Sequence, residues 1–290
     1  MNMISKVIAS KTLVEILKEQ AKQKVKEINE KLGVRPALTI LMAGNNPASV
    51  SYVTKKIELA KECGMKSEII YLNENSSQEY DKITTELNNN KDINGFMLQL
   101  PCPIELENGF NINSEKDVDC LTEVTYQKML TEKQDAFSPC TPLGILRYLE
   151  FLGVEISGTN FAIIGKSRLV GKPLFELLLN SGGTVTLCHS RTKDLAKSIS
   201  TADVVISAVG KPNLLNQDNI QEGQILIDVG INKVEGKLCG DIAKDAVEKA
   251  KIITPVPGGV GPLTVMSLIT NTIDACYMQN GLARPTWKVQ

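Results

Sequence analysis

The chain has a single histidine, His189. A serine–histidine dyad or a multi-histidine metal site would have to rest on that one residue, which sets aside most hydrolase and metalloenzyme designs. The seven cysteines, at positions 63, 102, 120, 140, 188, 239 and 276, include no C-x-x-C pair and no zinc-like spacing. Reduced thiols and no metal site are therefore expected. The formal net charge is -1, so there is no broad basic field for a nucleic acid or an anionic membrane, and small molecules are the expected partners. Apolar runs of about 18 residues are also missing. The N-terminal segment mixes Lys6, Lys11 and Glu15 among its apolar residues, and neither a signal nor a membrane-spanning segment is expected.

What is present is ordinary globular material, 42% hydrophobic and 22% charged over 290 residues, a length that predicts two lobes. Thr12 to Glu15 has the form of a capping box, and Leu13, Leu17, Val25, Ile28 and Leu32 follow at helical spacing. Residues 37–43 are apolar apart from Thr39, as in a strand covered on both faces. A helix over about 49–63, a strand over 68–72, a helix capped by Ser76 and a strand over 95–100 continue the alternation. Strands over 161–164, 184–188, 204–208 and 225–229 repeat it. The fold class read from this is α/β, with crossover units and a doubly wound nucleotide-binding sheet in the second lobe. The irregular stretch 101–142 marks the boundary, giving lobes 1–141 and 142–270, with a C-terminal helical segment, 271–290, returning to the first.

Five constellations bear on chemistry. Tyr52 and Lys56 stand four apart in a helical segment, which puts a phenol and an ammonium on one face. Such a pair can move a proton, although alone it is more often a solvated face. Gln99 ends a strand, where ligands of open α/β sheets bind; the alternative is a strand-end amide satisfying a loop. In Lys116-Asp117-Val118-Asp119, a carboxylate suits the paired donors of an amino-substituted heterocycle, while most acidic loops are merely solvated. Gly165-Lys166-Ser167-Arg168-Leu169-Val170-Gly171-Lys172-Pro173 follows a strand and opens a helix, a setting for phosphate against backbone amides. His189-Ser190-Arg191-Thr192 follows the next strand, offering hydroxyls and a cation where an acidic residue would hold an unphosphorylated ribose, and NADP is favoured over NAD. His189 itself reads as structural or cofactor-flanking. The run from Thr254 to Thr264, with Pro255, Pro257, Gly258, Gly259, Gly261 and Pro262, reads as a rigid loop that is neither helix nor interior strand.

In this order the pieces resemble the methylenetetrahydrofolate dehydrogenase/cyclohydrolase family over nearly the whole chain. The Gly-x-Ser-x-x-Val-Gly-x-Pro loop and the Pro-Val-Pro-Gly-Gly-Val-Gly-Pro run are the most specific marks. The resemblance implies a catalytic folate-binding lobe, a Rossmann-like NADP-binding lobe and a cytoplasmic homodimer. It implies Lys56, Tyr52 and Gln99 as catalytic residues. Tyr52, Gln99, Asp119, Pro257, Gly258 and Gly259 would contact folate, and Gly165, Lys166, Ser167, Ser190, Arg191 and Ile231 would contact NADP. The implied reactions are oxidation of 5,10-methylenetetrahydrofolate and hydrolysis of the methenyl product to 10-formyltetrahydrofolate.

The chain departs from the family pattern in four places. Cys120 follows Asp119 where glycine is common, and Thr125-Tyr126-Gln127 replaces an Asn-x-Gly. Lys166 stands where many members have arginine, and Glu58 where a second lysine often follows the catalytic one. Competing readings are a monofunctional dehydrogenase, possibly NAD-linked, a shikimate-type dehydrogenase, and a non-catalytic folate- or nucleotide-binding protein. Retention of Lys56 and Gln99 argues against the first, and the closing Pro-Gly run against the second.

Overall fold

Seven consecutive residues, Ala37–Ala43, are all buried, which is why this strand carries no alternation of polar and apolar positions. It is the middle strand of one of two units into which the computed structural model divides. Residues 6–74, 76–106 and 109–290 are described.

The first unit comprises Ile16–Cys140 and Val265–Lys288. Its elements are α1 (Lys11–Leu32), β1 (Ala37–Ala43), α2 (Pro47–Glu62), β2 (Lys66–Leu72), α3 (Ser77–Asn89), β3 (Gly95–Leu98) and α4 (Glu123–Leu130). The three strands pair in parallel in the order β2-β1-β3, so each connection needs a crossover helix, and α2 and α3 supply them. Leu17, Ala21, Val25 and Ile28 form the buried stripe of α1. Ser76 caps α3 by accepting the Glu79 N–H at 3.1 Å, as its position in the sequence predicts.

The second unit comprises 6–15, Thr141–Thr264 and Val289–Gln290. It contains α5 (Cys140–Phe151), β4 (Asn160–Ile164), α6 (Gly171–Asn180), β5 (Thr184–Cys188), α7 (Leu195–Ile199), β6 (Val204–Ser207) and β7 (Ile225–Asp228). The hairpin strands β8 (Asn232–Val234) and β9 (Lys237–Cys239), then β10 (Ile252–Ile253) and the first turn of α8 (Val260–Gln279), complete it. Five parallel strands lie in the order β10-β7-β6-β4-β5. The chain builds outward from β4 in both directions, so this is a doubly wound sheet whose order reverses between β4 and β6. Ala162, Ile164, Val205, Leu226 and Leu215 form part of its core.

Three local expectations change. Helix α1 begins at Lys11, before the expected Thr12 cap, and Ser10 turns its hydroxyl to the Gly258 carbonyl at 3.1 Å. The irregular stretch 101–142 contains α4 and the start of α5. The Pro-Gly run is helical at its end: α8 starts at Val260, with Pro262 in its first turn, where a missing N–H costs no hydrogen bond. Beyond Val265, α8 belongs to the first unit. There Asp274 receives Arg284 Nε at 2.8 Å and Trp287 Nε1 at 2.9 Å, fastening the C-terminal segment. Among the described residues no helix is long and apolar enough to cross a membrane.

Candidate functional site

Lys56 lies on α2 with only 4% of its surface exposed. It faces the end of β3: Nζ donates to Gln99 Oε1 at 2.9 Å and lies 3.4 Å from Met97 Sδ. The Gln99 amide is itself oriented, because its Nε2 donates to the Leu100 carbonyl at 2.6 Å and leaves the oxygen for Lys56. One turn earlier on the same helix, the Tyr52 ring centroid is 5.1 Å from Nζ, within cation–π range. Burial pushes the Lys56 ammonium below its ordinary range, and the charge of Asp119 opposes that. The structure thus brings Tyr52, Lys56, Gln99 and Asp119 into one neighbourhood. Glu58 is exposed and is not among the groups that raise Lys56.

Asp119 follows a segment held by its neighbours. Asp117 is fully buried and accepts the N–H groups of Leu121 and Thr122 at 2.8 Å each and the Thr122 hydroxyl at 2.7 Å. Its role is to shape the turn, and burial pushes its carboxyl up. Lys116 is buried too, and Nζ donates to the Leu87 and Asn90 carbonyls at the end of α3. Of the three charged residues in the motif, only Asp119 is partly accessible; its Oδ1 accepts the Cys140 N–H at 3.2 Å. Cys120 has φ +53, the left-handed region that a glycine adopts freely. The departure from the family's glycine keeps the backbone shape at the cost of local strain.

The glycine loop after β4 is the second constellation. Gly165 has φ +114, and a Cβ there would lie 2.5 Å from the Ala208 carbonyl oxygen; a Cβ on Gly171 would lie 1.8 Å from the Gly165 oxygen. Both glycines let backbone pack on backbone where β4 and β6 diverge, the ligand crevice of a doubly wound sheet. Ser167 Oγ accepts from Val170 N at 3.2 Å and Gly171 N at 3.4 Å, which fixes the start of α6 and keeps its own proton to donate. Lys166, Ser167 and Arg168 are exposed, as are Ser190 and Arg191 after β5. His189 Nδ1 accepts the Arg191 N–H at 3.1 Å, a structural use of the ring. Ile231, beyond β7, is 58% exposed. Small backbone, a helix start and exposed cations at adjacent strand ends fit a phosphorylated dinucleotide.

Two carboxylates that the sequence reading passed over organise these strand ends. Asp241 is fully buried and accepts from Val209 N (2.9 Å), Gly210 N (3.2 Å), Lys211 N (2.7 Å) and Ser207 Oγ (2.9 Å). Asp228, at the end of β7, accepts from Asp241 N at 2.8 Å and Ile242 N at 3.1 Å. Burial pushes the Asp228 carboxyl up to about 6 against its hydrogen bonds, and the Asp241 charge adds to the rise. Gly230 and Gly240 leave room for them: a Cβ on either would fall within 2.0 Å of a carboxylate oxygen. Those two glycines were the signal available in the sequence.

In the closing loop, Gly258 has φ +101, and its carbonyl accepts from Ser10 N at 2.9 Å as well as from the Ser10 hydroxyl. A Cβ on Gly259 would lie 2.4 Å from the Pro255 oxygen, so the loop around Pro257 is tightly folded. Pro257, Gly258 and Gly259 belong to the second unit, and Tyr52, Lys56, Gln99 and Asp119 to the first.

Comparison with known proteins matches residues 8–119 to the tetrahydrofolate dehydrogenase/cyclohydrolase catalytic domain and 139–280 to the NAD(P)-binding domain of the same family. The bifunctional protein FolD of Staphylococcus epidermidis is 40% identical over 290 residues, covering 97% of this chain and all of that relative. The crystal structure of the bifunctional FolD methylenetetrahydrofolate dehydrogenase/cyclohydrolase from Campylobacter jejuni superposes with a TM-score of 0.89 at 38% identity, covering 94% of this chain and 98% of that one. The Trypanosoma brucei enzyme, solved with NADP cofactor and an inhibitor, gives a TM-score of 0.88 at 32% identity and covers 95% and 98%.

Proposed function

This chain belongs to the tetrahydrofolate dehydrogenase/cyclohydrolase family, and from that membership and the setting of Lys56 we propose that it oxidises 5,10-methylenetetrahydrofolate with NADP and hydrolyses the methenyl product to 10-formyltetrahydrofolate. The observation that carries the hydrolytic half is a buried lysine held at 2.9 Å by an amide oxygen whose orientation is itself fixed. In the proposed division of labour, 1–141 with 271–290 serves folate chemistry and 142–270 holds NADP. Tyr52, Gln99, Asp119, Pro257, Gly258 and Gly259 contact the folate, while Gly165, Lys166, Ser167, Ser190, Arg191 and Ile231 contact the dinucleotide. The protein works in the cytoplasm as a homodimer and supplies one-carbon units to purine, methionine and histidine synthesis.

Bound NADP supplies the hydride acceptor. The methylene carbon sits between two folate nitrogens whose lone pairs stabilise the cation left behind, so the protein needs no base here and contributes position. Hydrolysis makes different demands. Water adds to the methenyl carbon and loses a proton to give a neutral carbinolamine; the carbon–N5 bond then breaks as N5 gains a proton and the hydroxyl loses one to become the formyl oxygen, so that one proton is released overall. Lys56 is the group that moves these protons: desolvation loosens its hold on the proton, the Asp119 charge opposes that, and Gln99 and the Tyr52 ring hold Nζ in place. Asp119 anchors the amino-substituted ring through its carboxylate.

The test mixes purified protein with methylenetetrahydrofolate and either NADP or NAD, follows reduced cofactor, and separately follows decay of methenyltetrahydrofolate against buffer. Reduction with NADP together with accelerated decay is expected. Reduction alone would make the protein a monofunctional dehydrogenase, and neither signal would leave a binding protein.

A further inference from the structure

We infer that Asn271 is a positioning residue for the hydrolytic step, holding from α8 the two chain segments that carry Asp119 and Cys140 around Lys56. The inference rests on the proposed function and adds a residue to it.

Asn271 is fully buried. Its Nδ2 donates to the Val118 carbonyl at 2.8 Å and the Ser138 carbonyl at 3.0 Å, with Cys140 Sγ at 4.0 Å. Two carbonyl oxygens converge on one end of the amide. A carbonyl only accepts, so that end is the nitrogen and the orientation of the side chain follows. The consequence is an acceptor with nothing to accept: Asn271 Oδ1 is buried and has no hydrogen-bond partner among the described residues, and neither has Ser267 Oγ one turn earlier on α8. A polar side chain kept in the core with half its capacity unused is a net cost unless its other half does something an apolar residue would not.

What that half does is join two segments distant in sequence. The Val118 carbonyl belongs to the peptide that leads into Asp119, and the Ser138 carbonyl lies two residues before Cys140. The same two segments meet again where the Cys140 N–H donates to Asp119 Oδ1 at 3.2 Å and the Cys140 thiol to the Val118 carbonyl at 3.5 Å. Asn271 thus closes a ring of contacts around the Cys140 thiol and Asp119, whose charge acts on Lys56 from outside its own helix. Tyr52, Gln99 and Met97 also border Nζ. Gln279, two turns on, donates to the Glu115 carbonyl at 2.8 Å, so α8 grips both ends of residues 115–118. The helix is the brace against which the acidic segment is set.

The experiment compares wild type with Asn271→Ala, measuring cofactor reduction, methenyl decay from pH 6 to 10, and KM for folate and for NADP. Wild type with both activities establishes the function on which the inference stands; wild type with neither removes that function and the inference with it. In the variant, loosening Asp119 weakens the field that favours charged Lys56, so the midpoint of the methenyl-decay profile moves down by about half a pH unit or more. Folate KM rises at least about fivefold, and NADP KM stays within about twofold, because the nucleotide is held elsewhere. A folded variant whose midpoint and folate KM match wild type would overturn the inference, whatever its melting temperature. If Asn271→Ala does not fold, Asn271→Ser, which keeps one donor at small volume, is judged by the same criteria.

Discussion

Lys56 is buried with an amide oxygen and, among the described residues, no carboxylate in hydrogen-bond contact, so its charge costs stability as well as serving chemistry. The sign follows from the lowered value: between it and the ordinary lysine range the unfolded chain holds the proton more firmly, so stability from this group rises with pH across that window and the penalty is complete below it. Replacing Lys56 with methionine removes the penalty while stranding Gln99 Oε1. The two changes roughly offset, and the urea midpoint of Lys56→Met at pH 7 is expected at or above that of wild type. A loss of more than about 2 kcal/mol would mean that the lysine is structural. The pairing of Tyr52 with Lys56 was visible as a four-residue spacing, but the role of Asp117 against Asp119 was not. Two carboxylates two positions apart look alike until burial and three backbone and hydroxyl contacts separate a turn-shaping residue from an accessible one. Asn271 was equally hidden, because a polar residue within an apolar helix gives no hint of which loops cross it.

At the scale of elements, the glycine loop and the C-terminal anchor make separable predictions. Gly171→Ala puts a Cβ 1.8 Å from the Gly165 oxygen, a backbone atom that yields only if the loop moves. The expected result is a loss of about 1–3 kcal/mol in stability together with at least about a tenfold rise in the NADP dissociation constant, read by urea melts and fluorescence titration. Asp274 is 3% exposed and holds Arg284 and Trp287. Asp274→Ala removes the acceptor of Arg284 Nε and of the indole N–H, while Arg284 Nη1 keeps the Ala136 carbonyl at 2.7 Å, and should cost about 2 kcal/mol without changing NADP affinity. A change confined to NADP binding would contradict the assignment of this contact to the first unit. Elements buried on both faces, such as β1, were legible because a continuous apolar run has few other uses. The start of α8 was not, since Gly261 and Pro262 argue against a helix unless they fall in its first turn. Helix α4 was missed because eight residues with only Thr125 and Met129 buried leave little periodicity to detect.

Across the whole molecule, the carboxylate pair at the strand ends predicts a pH dependence of folding. Asp228 sits at about 6 in the folded protein, above the ordinary aspartate range, so the folded state binds its proton more tightly than the unfolded chain does. Between about pH 4 and about pH 6 the folded protein therefore carries the extra proton, and stability from this group falls as pH rises through that window, then levels off. Urea midpoints taken across this range should show that descent superimposed on the other groups, and Asp228→Asn should remove it whatever its effect on absolute stability. An unchanged slope in the variant would place the titration elsewhere. The doubly wound order could be anticipated from alternating strands and helices. The position of its switch point could not, because strand order is set by which crossovers pack, and the pairing of β4 with both β5 and β6 fixes it.

The central claim is that one lysine separates two reactions, hydrolysis needing its protons and hydride loss needing only position. The measurement that tests it most directly compares wild type and Lys56→Met, from identically prepared folded protein, for NADP reduction with methylenetetrahydrofolate and for decay of added methenyltetrahydrofolate. The account predicts that methenyl decay falls to the buffer rate, a loss of at least about a hundredfold, the lower range for a general acid–base group, while cofactor reduction persists. Decay at the wild-type rate in the folded variant would contradict it.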